Sequence, residues 1–313
     1  MSSKPLDRML QLRLSALDCC TAMLGPVGRA SDDRARVEAA PDLVSAVMAA
    51  DSEEVRMRVF KQVKRLEDLG AKLCWPTGRR LDESELVYPE LLRASPAKPQ
   101  LLWVWGELSE DDRYAVAILG TAGASKYGLA QASRFAVAAA RHGLTVVTGG
   151  EVGVDHAATR AALDAGGRVI VALGAGLEAH GRPHHRLYQK VVQSGRGVVV
   201  SVSPLDTGPT PMNQIDGDYL IAGLSIAALL VEAGPGSGAL TAARVVRQEV
   251  GRHLMALPGP IDAPTSEGAN RLIAEGLADL TQSTEAMLET VARRARASST
   301  TRCQPVRRPD GSC

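Results

Sequence analysis

AVAILGTAGASKYG (115–128) is the stretch that decides the fold. Five aliphatic residues run straight into glycine, and three glycines then punctuate a short turn. An unbroken aliphatic run of this length reads as a strand buried on both faces, the kind found in parallel sheets. A helical stretch, Gln131 to His142, follows. The same grammar recurs outward in LTVVTGG (144–150), RVIVALGAG (168–176), GVVVSV (197–202), IAALLVEAGPGSG (226–238) and HLMALPG (253–259). Helical stretches Asp155 to Ala165, His184 to Gln193, Ala239 to Val250 and Glu267 to Glu275 lie between or after them. Strands alternating with helices predict right-handed crossovers and an α/β fold: an extended, Rossmann-like, doubly wound, mostly parallel sheet. The pattern shows no eightfold repeat, which argues against a (β/α)8 barrel.

The flanks differ in texture. Residues 1–87 read as a small N-terminal helical domain, with apolar residues at helical spacing from Leu43 to Leu66 and Gly70 as a C-cap. Residues 88–112 form a connector with three prolines, and its apolar run Leu101 to Trp105 is expected to be an edge strand. The Rossmann-like domain is assigned to 113–288. Residues 289–313 are rich in Arg and Ser without apolar periodicity and read as a disordered basic tail, either solvated or touching nucleic acid.

Composition narrows the function. Apolar residues make up 45% of the 313-residue chain but aromatic ones only 3%, so Ala, Val, Leu and Ile must pack the core. So few rings argue against a base-stacking platform. A formal net charge of +1 argues against binding by diffuse electrostatics. The five cysteines, Cys19, Cys20, Cys74, Cys303 and Cys313, have neither zinc-ligand nor disulfide-framework spacing. The N-terminus lacks a leader pattern and no stretch is apolar enough to span a bilayer, so a soluble, cytoplasmic protein is expected.

Three glycine-rich turns, 120–128, 149–153 and 234–238, follow strands and lead into helices. In an open parallel sheet such turns gather at the carboxyl edge, where ligands bind at the topological switch point. Their backbone N–H groups and the helix N-termini favour a phosphate. Read singly, each is equally a tight strand-to-helix turn. None matches G-x4-G-K-[ST] or G-x-G-x-x-G, so an ATP or NAD site is not indicated, and neither cofactor nor metal is expected. His180, His184 and His185 in HGRPHH read either as a metal site or as a polar helix entry with Pro183 near its first position. Glu151 and Asp155 read either as a general acid–base pair or, for Asp155, as the N-cap of the next helix.

The order of these segments resembles the DNA-processing protein A (DprA/Smf) family from Tyr88 to Leu280. The resemblance is carried by Tyr88-Pro89-Glu90-Leu91-Leu92, Gly120 to Gly128, Thr148 to Asp155, Gly166-Gly167 through Glu178, Leu220 to Ser225, Leu230 to Ala233 with Ser237 to Ala242, and Pro258-Gly259 with Gly268 to Gly276. Departures fall at charged positions: the family's first-turn arginine is Ala122, its RNR triplet is Gly217-Asp218-Tyr219, and the histidine of its AH pair is Thr159. Losing arginines removes bidentate phosphate contacts. No winged-helix module of the kind the family often carries is expected after Leu280.

What the resemblance implies is a non-enzymatic, homodimeric binder of single-stranded DNA. It would assist loading of a RecA-type recombinase in natural transformation, DNA uptake or recombination. The expected phosphate contacts are Gly120, Thr121, Ser125 and Lys126 in the first turn, Gly149, Gly150 and Gly153 in the second, and Ser237 and Gly238 in the third. Arg182 stands where the family keeps a basic residue, and Arg244 is either a further contact or a surface residue. The rival reading is a nucleotide-binding sensor or nucleotide-processing enzyme on the same fold, with Glu151 as its acid–base group. A third is a scaffold kept for protein contacts alone.

Overall fold

The computed structural model describes residues 61, 64–66, 68–74, 88–96, 99, 102–179 and 182–300, without the side chains of 73, 74, 182, 183 and 298–300. Most of the residues assigned to the N-terminal helical module, and the tail beyond Thr300, lie outside these.

Nine strands form one sheet: β1 (Ala71–Cys74), β2 (Leu102–Gly106), β3 (Ala115–Leu119), β4 (Thr145–Thr148), β5 (Val169–Leu173), β6 (Gly197–Ser201), β7 (Ala227–Leu230), β8 (His253–Ala256) and β9 (Asp279–Leu280). Their order is β1-β2-β6-β5-β4-β3-β7-β8-β9. From β6 to β9 every pairing is parallel, while β1 and β2 add an antiparallel flank. The doubly wound, mostly parallel sheet is as the aliphatic runs implied. Sequence order reverses between β3 and β7, so the switch point lies there, at the turns 120–128 and 234–238.

Helices cover both faces. On one side lie α2 (Lys126–Arg141), α3 (Val154–Asp164), α4 (Arg182–Gln193) and α8 (Thr284–Thr300). Ala132, Phe135, Ala136 and Ala139 of α2, at i, i+3, i+4, i+7 spacing, meet Val116, Ile118, Val146 and Val171 of the strands. On the other side lie α1 (Glu90–Arg93), α5 (Pro211–Leu224), α6 (Gly238–Arg244) and α7 (Glu267–Ala274), packed on Ala117, Leu119, Ile170, Val198 and Leu230. Alternate strand residues thus feed opposite cores, which is why both halves of each run are aliphatic. Each fully buried Val, Leu or Ile contributes about 1.5–3 kcal/mol.

Four sequence expectations need correction. Leu102–Gly106 is an interior strand, paired with β1 on one side and β6 on the other; its buried Trp103 and Val104 fit a strand covered on both faces. Ala71–Cys74, placed in the helical module, is one of the sheet's two edge strands among the described residues. The helix expected over 239–250 ends at Arg244 and gives way to one π-helical turn, Val245–Glu249. The boundary drawn at residue 289 cuts through α8, whose Met287 and Val291 are buried in the core.

Helix α5 was not foreseen. Thr210 caps it, accepting from the Asn213 N–H, and Pro211 sits at its first position. Its second half, Leu220 to Leu224, is buried on every side, so it carries no apolar stripe to detect.

Candidate functional site

The three glycine turns converge. At the carboxyl edge of β3, β4, β5 and β7 lies a pocket of about 460 Å³, with Gly120, Gly149, Ser237 and Gly238 in its wall. Of the ten residues expected to contact phosphate, these four line it. Thr121, Ser125, Lys126, Gly150 and Gly153 stand on the turns outside the lining, and Arg182 opens α4 with its side chain outside the described atoms. Lys126, the first residue of α2, is exposed. Arg244 is exposed at the far end of α6.

The first turn is tied to the segments after β7 and β8 by one carboxylate. Glu232 follows β7 and is buried, 2% exposed. It accepts from the Ser125 N–H at 2.8 Å, the Ser125 hydroxyl at 2.6 Å and the Thr265 hydroxyl at 3.2 Å. Its carbonyl also accepts from the Thr121 N–H at 2.8 Å. Charge-assisted hydrogen bonds of this kind offset the cost of burying the carboxylate. The Ser125 hydroxyl, expected on a phosphate, instead donates to Glu232 and accepts from the Gly128 N–H as the N-cap of α2.

The second turn is held from beneath. Asp155, the second residue of α3, accepts from the Gly149 N–H at 2.8 Å and the Glu151 N–H at 3.4 Å. It therefore caps the glycine turn, and the N-cap of α3 is Gly153. Burial pushes the Asp155 carboxyl up to about 7, partly offset by those two N–H groups. The buried Tyr188 hydroxyl donates to the Gly150 carbonyl at 3.2 Å, and the His184 ring stands 3.2 Å from the same oxygen. Burial, and then the carboxylates of Glu151 and Asp155, push the Tyr188 phenol up. Gly153 has φ of 84° and lies so close to the first turn that a Cβ would sit 2.4 Å from the Thr121 carbonyl oxygen. Only glycine lets these two turns interlock.

The histidines of HGRPHH diverge. The His184 ring faces His156 at 5.2 Å between centroids, whereas His185 packs on Trp105 at 5.3 Å; His180 lies outside the described residues. Burial, and then His184, lower the His156 pKa. Among the described residues no group of three or more His, Cys, Asp or Glu could hold a metal ion. No described helix is long and apolar enough to cross a membrane.

The wall that sequence reasoning missed is α5, which brings Ile215, Gly217, Asp218 and Ile221 to the pocket. Burial pushes the Asp218 carboxyl up to about 7. The signal was present in the chain: Gly217-Asp218-Tyr219 is where the resemblance loses its basic triplet. Glu151, Asp155 and Asp218 line the pocket, and no described Lys or Arg does.

Comparison with known proteins agrees with this architecture. Residues 81–292 match the family model for DNA recombination-mediator protein A. Protein Smf of Escherichia coli K12 is 36% identical over 223 residues, which cover 70% of this chain and 59% of that protein. The fold resembles DNA processing protein A from Streptococcus pneumoniae, with a TM-score of 0.64, 23% identity, and 92% of this chain and 98% of that one covered. It also resembles DNA processing protein A from Helicobacter pylori, whose single-stranded DNA binding mode has been described structurally (TM-score 0.59, 24% identity, 66% and 94% covered). With its family segments in order on a doubly wound sheet and the family model spanning most of the described residues, this chain belongs to the DNA recombination-mediator protein A (DprA/Smf) family.

Proposed function

We propose that this chain binds single-stranded DNA at the carboxyl edge of its sheet and, as a homodimer, assists a RecA-type recombinase. The observation that carries the reading is the convergence of all three glycine turns on one pocket at the switch point. The backbone N–H groups of these turns that are not already donating within the protein offer a sequence-independent cradle for a phosphodiester chain, as N–H groups do at other helix N-termini. Lys126, exposed at the end of the first turn, supplies positive charge. Family membership and the Helicobacter pylori relative's described DNA binding support the assignment.

Fluorescence anisotropy with a labelled single strand of about 20 nucleotides, titrated at several salt concentrations against duplex competitor, tests it. The expected result is salt-sensitive binding that prefers single strands, weakened a few-fold by Lys126→Ala. Absence of binding at low salt defeats the proposal. Recombinase assistance is tested by adding a RecA-type protein to strands coated with single-strand-binding protein and following filament formation, which this chain should accelerate.

A second reading, a pocket for a single nucleotide, is favoured by one observation: the pocket is lined by acids and by no described cation. Displacement of the labelled strand by a mononucleotide at comparable concentration would establish it.

A further inference from the structure

Positive charge gathers away from the pocket, at the amino edge of the sheet where β8 begins. His253 opens β8 and is 8% exposed. Arg294 of α8 donates to its Nδ1 at 2.9 Å. The neutral ring therefore carries its proton on Nε2, which lies 3.1 Å from the Asp279 carboxylate without the alignment of a hydrogen bond. Burial, and then Arg294, lower the His253 pKa; Arg293 and Arg247 add to the effect and Asp279 opposes it. Three guanidinium groups thus bear on one buried imidazole, against one carboxylate.

Arginines on a surface are often no more than solvated groups or complements to a helix dipole. Neither accounts for this placement. The dipole acts within the last turn of a helix, and α8 runs on to Thr300, past Arg293 and Arg294, with no basic residue in its last turn. Arg247 sits in the π-helical turn Val245–Glu249, where the Val250 N–H reaches back to the Val245 carbonyl at 2.9 Å. Such turns recur at functional positions. Arg247 and Arg293 are exposed, and among the described residues neither forms an ion pair. Arg252 is different: its guanidinium donates to the Leu91 carbonyl at 2.9 Å and the Ala222 carbonyl at 3.4 Å, so it is spent on packing. Like charges held near one another repel, and a bound anion relieves that repulsion. Three guanidiniums call for more negative charge than one carboxylate carries. Linked phosphates supply it, with paired oxygens for each planar fork.

We infer that Arg247, Arg293 and Arg294, with His253 holding Arg294 in place, form a second anion site at the amino edge of β8, and that its ligand is a run of linked phosphates: a nucleic-acid backbone or a free polyphosphate. The site is distinct from the glycine-turn pocket at the opposite edge.

The first arm of the test is isothermal titration calorimetry of the full chain with inorganic tripolyphosphate at low salt. Arg247→Ala and Arg293→Ala change exposed side chains and should leave the fold intact. Combined, they are expected to weaken tripolyphosphate binding about tenfold. Arg196→Ala is the control: Arg196 is also exposed at the amino edge, but before β6, five strands along the sheet or roughly 24 Å away, and its loss should leave binding unchanged. The second arm is the salt dependence of binding to a labelled single strand of about 20 nucleotides. Where the ligand is a strand backbone, the slope of log affinity against log salt falls by about 1.4 in the double variant, two lost phosphate contacts. An unchanged slope beside weakened tripolyphosphate binding assigns the site to free polyphosphate. Absence of tripolyphosphate binding, equal binding by the double variant, or an equal loss in Arg196→Ala each overturns the inference. The first arm does not require strand binding, so its outcome is independent of the strand-binding proposal above.

Discussion

Two acids near the same glycine turns behave in opposite ways. Glu232, which ties the first turn to the segments after β7 and β8, is met by three hydrogen-bond donors and is almost wholly inaccessible. Asp218, on the α5 wall of the pocket, has no hydrogen bond among the described residues, and burial raises its pKa to about 7. The first carboxylate has its desolvation offset by partners inside the protein. The second does not, and a ligand that donates to it would recover that cost. One side of the site is therefore scaffold and the other is available for recognition, although both are acids beside glycines.

The strongest way to break this contrast is Glu232→Ala. It leaves the Ser125 N–H and hydroxyl and the Thr265 hydroxyl without their acceptor, and should cost about 3 kcal/mol, lowering the unfolding midpoint by roughly 10 °C. Thermal unfolding followed by circular dichroism reads this directly; a change within about 1 °C would mean that this carboxylate does not hold those segments together. Next is Gly217→Ala, whose added methyl must displace the turn after β5. A loss of about 2 kcal/mol is expected, within the range for overpacking, and denaturant titration measures it.

Asp218→Asn sharpens the comparison through pH. Because the folded pKa is raised to about 7, above the ordinary value of 3.8, the protonated acid favours the folded state. That contribution is fully present below about pH 4, fades as pH rises towards 7, and is lost above it. The midpoint of the variant should thus gain on the wild type steadily between pH 4 and pH 7 and by no more beyond. Parallel midpoint curves across that window would mean that Asp218 is not desolvated as described. The smallest effect on stability belongs to Lys126→Ala: within about 0.5 kcal/mol, since the residue is exposed. In binding it should still reduce the slope of log affinity against log salt by about one.

How much of this was legible in the chain depends on where each element lies. The parallel core was readable because β3, β5 and β6 are buried on both faces and say so as unbroken aliphatic runs. Helix α2 was readable from its apolar stripe, though its start at Lys126 lay five residues ahead of the expected Gln131. Helix α5 was not, because burial all around its second half erases the periodicity that marks a helix. Leu102–Gly106 was misplaced at an edge, since a strand's neighbours are not written in its own residues. Residues 284–300 were divided at 289 because the polar face of α8 outweighs Met287 and Val291 in a local reading.

The same division applies to the site. The alternation of aliphatic runs and helices already required glycine turns to gather at one edge of a parallel sheet, because strand direction and right-handed crossovers force them there. The family, too, was legible, through ordered segments that are largely glycine and aliphatic. Tertiary structure alone decided that Ser125 serves Glu232, 107 residues away, that Asp155 holds the Gly149 turn, and that Asp218 faces the same pocket as Glu151. Hydrogen-bond partners and desolvation are set by what the fold brings within a few ångströms, and a sequence specifies those neighbours only once its layers have packed.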